Sequence, residues 1–358
     1  MTVRDLPGRG TDLNPPNRYE QLHVELEPED SPAAEDEDAA GAPRTLYYRD
    51  ASRSVLAEND SPDIGFRFSL NPYRGCEHGC AYCYARPSHE YLGFSAGLDF
   101  ERRIMVKDDA PALLRKALRA PRWEPQVIAL SGNTDCYQPV ERRLELTRRC
   151  LEVFADFRNP VGVITKSALV ARDADVLAEL ARHRAARVMM SVTTLDPELA
   201  RRMEPRAAQP ERRIDAIAAL ARAGVPVGVM IGPVIPGLND AEIPRILGAA
   251  AAAGAACASW VLLRLPRPLD TLFEHWLGEH FPDRRERVLH RIRETRSGRI
   301  SESRFGIRGR GEGEYARQIA ALFRAAAKKH GLDRPVAELS VAAFRRPPAA
   351  GDQLNLLG

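Results

Sequence analysis

Aromatic residues make up only 6% of this 358-residue chain, tryptophan occurs three times and cysteine six times. With 44% hydrophobic content, the chain can still build the core of one large α/β domain or of two ordinary ones. A long uninterrupted apolar run is missing as well. The longest apolar stretch, Leu247 to Leu263, is alanine-rich and broken by Gly248, Gly254 and Ser259, so it reads as a helix end, a turn and a buried strand rather than a membrane span. The first residues, MTVRDLPGRGTDLNPP, lack the apolar centre of a secretory signal. These absences predict a cytoplasmic protein with no membrane partner. In that compartment thiols stay reduced, and clustered cysteines speak for metal or catalysis before disulfides.

Charge is distributed unevenly. Residues 1–45 hold four Arg and eleven Asp or Glu, a net of −7, while the remainder, with 48 Arg or Lys against 38 Asp or Glu, carries +10. Glu25 to Pro43 combines acids with Pro, Ala and Gly and has almost nothing to bury, which predicts a disordered acidic tail over 1–45. The basic body attracts phosphate-rich partners, or its arginines simply solvate helix faces.

From Tyr47 to Arg304, short β-branched runs alternate with amphipathic stretches, the pattern of repeated βα units. Strands are expected at 66–70, 126–130, 161–165, 187–194, 225–231 and 258–265. Helices are expected at 109–119, 140–157, 173–184, 211–223 and 240–253, the last capped by Asn239 or Asp240, and the one before it stopped by Gly224. Six such units predict an α/β fold, a partial (β/α)6 TIM-like barrel over 46–300 with its chemistry at the C-terminal strand ends. A basic loop and helix over 301–345 and a flexible tail over 346–358 complete the expected organisation.

The densest signal is NPYRGCEHGCAYCYARPSHEYLG, residues 71–93, where Cys76, Cys80 and Cys83 form C-x3-C-x2-C directly after the first expected strand. Gly75 and Gly79 let the loop turn tightly enough for three thiolates to converge, and a convergent set of thiolates suits zinc or an iron–sulfur centre. Both want a fourth ligand. His78 or His89 completing a zinc site is one reading, although His78 would strain to share a metal with its neighbours.

With Tyr82 just before the last cysteine, the motif resembles that of the radical S-adenosylmethionine (SAM) superfamily, and GCAYCYAR, with tyrosines on both sides of Cys83, is similar to the photoproduct-lyase-like group within it. The resemblance covers about residues 60–300. It implies that Cys76, Cys80 and Cys83 hold three irons of a [4Fe-4S] cluster and that SAM chelates the fourth. It also implies an external electron donor of the flavodoxin or ferredoxin type, reductive cleavage of SAM to a 5′-deoxyadenosyl radical, and hydrogen abstraction, with nucleic-acid repair as one use.

The same resemblance assigns cosubstrate contacts. In SGNTDCYQPVE, after the second strand, Ser131, Gly132, Asn133 and Asp135 would grip the methionine amino group, or form a capped turn; the usual Gly-Gly-Glu is absent. Lys166 would meet the carboxylate, or be solvated. Ser191 and Thr193, two apart on one strand face, would contact the ribose, and Glu204 and Arg206 the sugar or the carboxylate. Tyr82 and Tyr84 match the relay tyrosines. Cys136 would return a hydrogen atom, or be an inert thiol; Cys150 and Cys257 read as core.

At the C-terminus, QLNLL (Gln353 to Leu357) resembles the Gln-Leu-x-Leu-Phe peptide with which bacterial DNA enzymes bind the sliding clamp, with leucine in place of the aromatic anchor. The competing function is a non-catalytic iron–sulfur or zinc protein that binds nucleic acid or senses redox state.

Overall fold

The computed structural model describes residues 8–19, 44–336 and 338–348. The acidic stretch Glu25 to Pro43 and the terminal peptide Gln353 to Leu357 lie outside the described residues. The strands are β1 (Leu46–Arg49), β2 (Leu56–Glu58), β3 (Phe68–Leu70), β4 (Tyr73–Arg74), β5 (Arg103–Val106), β6 (Ile128–Leu130), β7 (Val161–Thr165), β8 (Ala186–Ser191), β9 (Val227–Val234) and β10 (Ala258–Leu262). All six expected strands form and share one sheet, in the order β10-β9-β8-β7-β6-β3-β2. Its β3-to-β10 pairs are parallel, and β2 adds an antiparallel edge. The sheet is a partial barrel: β2 and β10 end it without pairing with each other.

Strand alternation decides which face packs. In β7, Val161, Val163 and Thr165 are buried against the outer layer, while Gly162 and Ile164 face the half-buried interior. Outer helices Ala110–Arg119, Leu146–Phe157, Ala174–Arg182, Pro210–Arg222 and Ile243–Ala252 cover the sheet, and their apolar stripes form one core with it. Gly224 follows the fourth of these helices at φ +78, as a stop residue should.

Three expectations need correction. The helix 140–157 is two helices, Glu141–Leu144 and Leu146–Phe157, joined by Glu145 in the left-handed region at φ 50. The buried Glu141 carboxylate accepts the amides of Thr147 (3.0 Å) and Arg148 (3.4 Å), donors that the second helix leaves free in its first turn. Nor do Asn239 or Asp240 cap the helix Ile243–Ala252, whose cap position is Glu242. Asn239 is buried instead, accepting from Ile235 N (2.6 Å) and donating to Thr193 O (2.8 Å), which ties the ends of β8 and β9 together.

The third correction concerns the expected tail. Residues 8–19 dock against the cysteine loop: Gly10 N donates to Glu101 Oε2 (2.9 Å) and Leu98 N donates to Leu13 O (2.9 Å). Only glycine fits at position 10, since a Cβ there would stand 1.6 Å from Gly79 O. At the other end of the chain, the helix Gly313–Lys329 and the loops around it cover the β10 edge, where Ala258 N donates to Leu332 O and Leu262 N to Gly309 O. Arg308 and Gly306 reach Asp63 beyond β2, so the two sheet edges are bridged at one point. No helix among the described residues is long and apolar enough to cross a membrane.

Candidate functional site

The cysteine loop follows β3 and the short strand β4 and is held on every side. Gly75 (φ +77) and Gly79 (φ +65) make its turns, and Cys76 N donates to Phe100 O (2.9 Å). Glu77, fully buried, accepts Val140 N (2.8 Å) and the Tyr47 hydroxyl (3.0 Å). Arg86, also fully buried, pairs with Glu101 and donates to Cys80 O (3.0 Å) and Gly97 O (2.9 Å). A loop this pinned presents its thiols in a fixed arrangement. Burial pushes all three thiols up from their ordinary range. Cys76 also feels Asp135, Cys80 and Cys83, so the sulfurs share one small region.

The donor set fits a cluster better than a zinc ion. Neither imidazole is offered to the thiols: His78 Nδ1 sits 3.4 Å from Asp135 Oδ2, and His89 is enclosed by the rings of Phe94 and Phe100. Among the described residues, the three metal-ligating side chains that close to within 4.8 Å of one another are Asp12, His275 and Glu279, not the cysteines. One tetrahedral ion, with metal–sulfur bonds of about 2.3 Å, would draw its sulfurs closer than that.

Beside Cys80 lies a buried polar knot. The Tyr82 hydroxyl donates to Glu204, Thr193 Oγ1 donates to the same carboxylate (2.6 Å), and Arg213 pairs with its other oxygen. Arg213 also donates to Ser191 O (3.2 Å) and Ala208 O (2.7 Å). Ser191 and Thr193 reach the same carbonyl, Gly232 O, as hydroxyls on one strand face should. Lys166 lies over the Tyr82 ring, 5.8 Å from its centre. Burial alone would lower the lysine, but Cys80 and Glu204 more than offset it and hold the ammonium charged. Burial likewise pushes Glu204 up, yet Arg213 and Lys166 override it and bring the carboxyl down to about 2. Tyr82, Lys166, Ser191, Thr193 and Glu204 are thus brought together, with Arg213 as a member the motif reading missed. A signal existed, since Arg213 sits on the apolar stripe of its helix with Ile217 and Leu220.

The residues after β6 divide. Ser131, at φ 77, accepts Cys136 N on its hydroxyl (2.7 Å), and Gly132 O accepts the Tyr84 hydroxyl (3.1 Å). Both line a cleft of about 830 Å³ inside the partial barrel, together with Tyr84, Ile164, Met189, Met230 and Trp260. Asn133 is solvent-facing, donating to Ser88 Oγ (3.1 Å). Asp135 is occupied: Thr165 Oγ1 (2.7 Å), Lys166 N (2.8 Å) and Tyr137 N (2.9 Å) all donate to it. Burial would raise its carboxyl, and His78 with these donors brings it down to about 2. It serves as the capped turn rather than as an open acceptor.

Two assignments are corrected by position. Arg206 is not free to meet a sugar, because it pairs with Glu77 (3.3 Å) and donates to Thr45 Oγ1 (3.2 Å). Cys136 is fully buried in the main core and does not line the cleft that Tyr84 enters, so it cannot hand a hydrogen atom to a molecule there. Cys136→Ala is therefore expected to leave cluster content and product distribution unchanged and to cost on the order of 1 kcal/mol in stability. Product analysis beside a denaturation curve checks this; a changed product spectrum would restore Cys136 as a donor.

Residues 70–250, just over half of the chain, match the family model of the radical SAM superfamily. The chain belongs to that superfamily. An uncharacterized protein of Mycobacterium tuberculosis is 39% identical over 222 residues, 62% of this chain and 65% of the relative. The chain thus matches slightly under two thirds of that relative's length. A phage protein, the radical SAM Nalpha-GlyT isomerase of Pseudomonas phage M6, is 25% identical over 194 residues, 54% of this chain and 38% of that protein. Among solved structures, spore photoproduct lyase complexed with dinucleoside spore photoproduct superposes with a TM-score of 0.56 at 16% identity over 79% of each chain, a likeness of fold. Membership in the radical SAM superfamily supports an enzyme and implies a [4Fe-4S] cluster and SAM.

Proposed function

We propose that Cys76, Cys80 and Cys83 hold a [4Fe-4S] cluster, that SAM binds between it and the strand ends, and that the substrate is a nucleic acid carried in the cleft beside Tyr84. When bound through these thiolates, the cluster would supply the single electron for reductive cleavage of SAM. The chain's own residues do the rest. Lys166 offers a held positive charge to the methionine carboxylate, while Ser191 and Thr193, donating to Gly232 O and Glu204, brace the strand end beside it. Glu204 and Arg213 fix the tyrosine that precedes Cys83. The barrel walls keep water from the radical.

One observation carries the substrate class: the Asp63 carboxylate on the cleft wall is taken by Arg308, which leaves the guanidinium groups of Arg264 and Arg310 without an ion-pair partner among the described residues. Arg264 lies over the Tyr84 ring (5.3 Å) and Arg310 over Trp260 (5.0 Å), and neither meets a carboxylate within ion-pair distance among the described residues. Burial lowers both below the ordinary arginine value, a cost that a phosphodiester would relieve. Exposed Tyr84 offers a stacking surface for a base. Repair of a DNA photoproduct is the specific activity we put forward, with Tyr84 at the substrate. The terminal Gln353 to Leu357 peptide, as a sliding-clamp ligand, would suit that role.

The test is anaerobic incubation of reconstituted protein with reductant, SAM and a UV-irradiated oligonucleotide, which should lose photoproduct. Binding of the same oligonucleotide should fall steeply with salt, and the Arg264→Ala/Arg310→Ala variant should flatten the log–log salt slope by about 2, roughly 1 per phosphate contact. Unchanged slope and unchanged photoproduct would send the substrate assignment elsewhere.

A further inference from the structure

A second cleft, about 660 Å³, lies against the cysteine loop and shares no lining residue with the arginine cleft. His78, seated between two of the cysteines, forms part of its wall. Arg142, Arg206 and Arg212 stand around it, and no carboxylate lines it. Arg206 is tied to Glu77 of the same loop, and its backbone N donates to His78 O (3.3 Å). Arg142 and Arg212 are exposed, and among the described residues they have no ion-pair partner. The cleft is therefore a basic opening that touches the cysteine loop at His78, between Cys76 and Cys80.

On the radical SAM reading each cleavage of SAM consumes one electron, and SAM and substrate would occupy the barrel side of the cysteine loop. Electrons need another approach, and the second cleft reaches the cysteine loop from surface that neither the polar knot nor the arginine cleft uses. We propose that this cleft is the docking surface for an acidic one-electron carrier protein, and that the electron enters through residues 77–79. The proposal rests on the radical SAM reading. One electron leaves the reduced carrier, which is oxidised by one, and ends in the sulfonium, whose carbon–sulfur bond breaks to methionine and an adenosyl radical. The uncompensated charges of Arg142 and Arg212 steer a carrier with an acidic rim and set its orientation, while the affinity stays modest, as rapid exchange requires.

Arg142→Glu/Arg212→Glu, two exposed changes outside the site, tests this. Reduced flavodoxin is mixed with reconstituted protein, and bleaching of the cluster's visible absorbance is followed at low salt. The variant should react at least about tenfold more slowly than the parent and lose the parent's salt dependence, while bleaching by dithionite at high salt and binding of oligonucleotide stay unchanged. Equal flavodoxin rates would overturn the proposal. So would lost oligonucleotide affinity with the flavodoxin rate kept, which would assign the cleft to nucleic acid. Failure of the parent protein to bleach with dithionite would instead overturn the radical SAM reading beneath it.

Discussion

Replacing Cys76, Cys80 or Cys83 singly by alanine is expected to eliminate the iron–sulfur chromophore and SAM cleavage while the fold persists. The set has no spare member. His78 is committed to Asp135 and His89 is enclosed by phenyl rings. Cys136 and Cys150 are fully buried in the main core, and Cys257 lies behind β9 with its sulfur against Gly228, so no other thiol can swing in. A three-thiolate site with an open position cannot lose a ligand and keep the site that chelates the cosubstrate. The fold survives because the loop's backbone is carried by Glu77, Arg86 and Glu101 rather than by the sulfurs. Iron and sulfide should fall to background in each variant, with an unchanged circular dichroism spectrum. A full four-iron complement in any one of them would contradict the ligand assignment.

Arg86→Met destabilises the protein by about 3–5 kcal/mol, the range expected when one partner of a buried ion pair is removed and the other stays charged. Arg86 and Glu101 are both fully buried, so the surviving carboxylate keeps only Gly10 N as a donor among the contacts described above. The loss also reaches the site, because Cys80 O loses two guanidinium donors. Adding Glu101→Leu should recover part of the stability, since two apolar side chains remove the stranded charge, while leaving Cys80 O unbonded. Denaturant midpoints of the two single variants and the double variant measure the coupling. Additive effects would mean that the pair does not hold the loop.

The six parallel strands were legible because each is a short apolar run, most of them β-branched, bounded by helix-forming or turn sequence. The cysteine loop was legible because its spacing leaves few other uses for three thiols. The small sheet of β1, β5 and β4 was not, since strands of two to four residues carry no periodicity to read. Residues 8–19 looked like tail because Pro, Gly and Asn dominate them, yet those residues let the chain lie flat on the loop, with Gly10 against Gly79. Arg213 and Arg264 stood in view as charges within apolar patterns; Arg213 meets Glu204 only nine residues away, whereas Arg264 meets Tyr84 from a distant segment that only the fold brings near. Cys136 shows the opposite case: its place in sequence suggested the cleft, but the turn after β6, held by Ser131, buries its side chain in the core.

The central claim is that this cysteine loop and the strand ends beside it cleave SAM reductively. The direct measurement is anaerobic reconstitution with iron and sulfide, addition of SAM and dithionite, and quantification of 5′-deoxyadenosine. A brown protein that releases 5′-deoxyadenosine and methionine in equal amounts is the predicted result. A colourless protein that retains zinc and releases neither would contradict it.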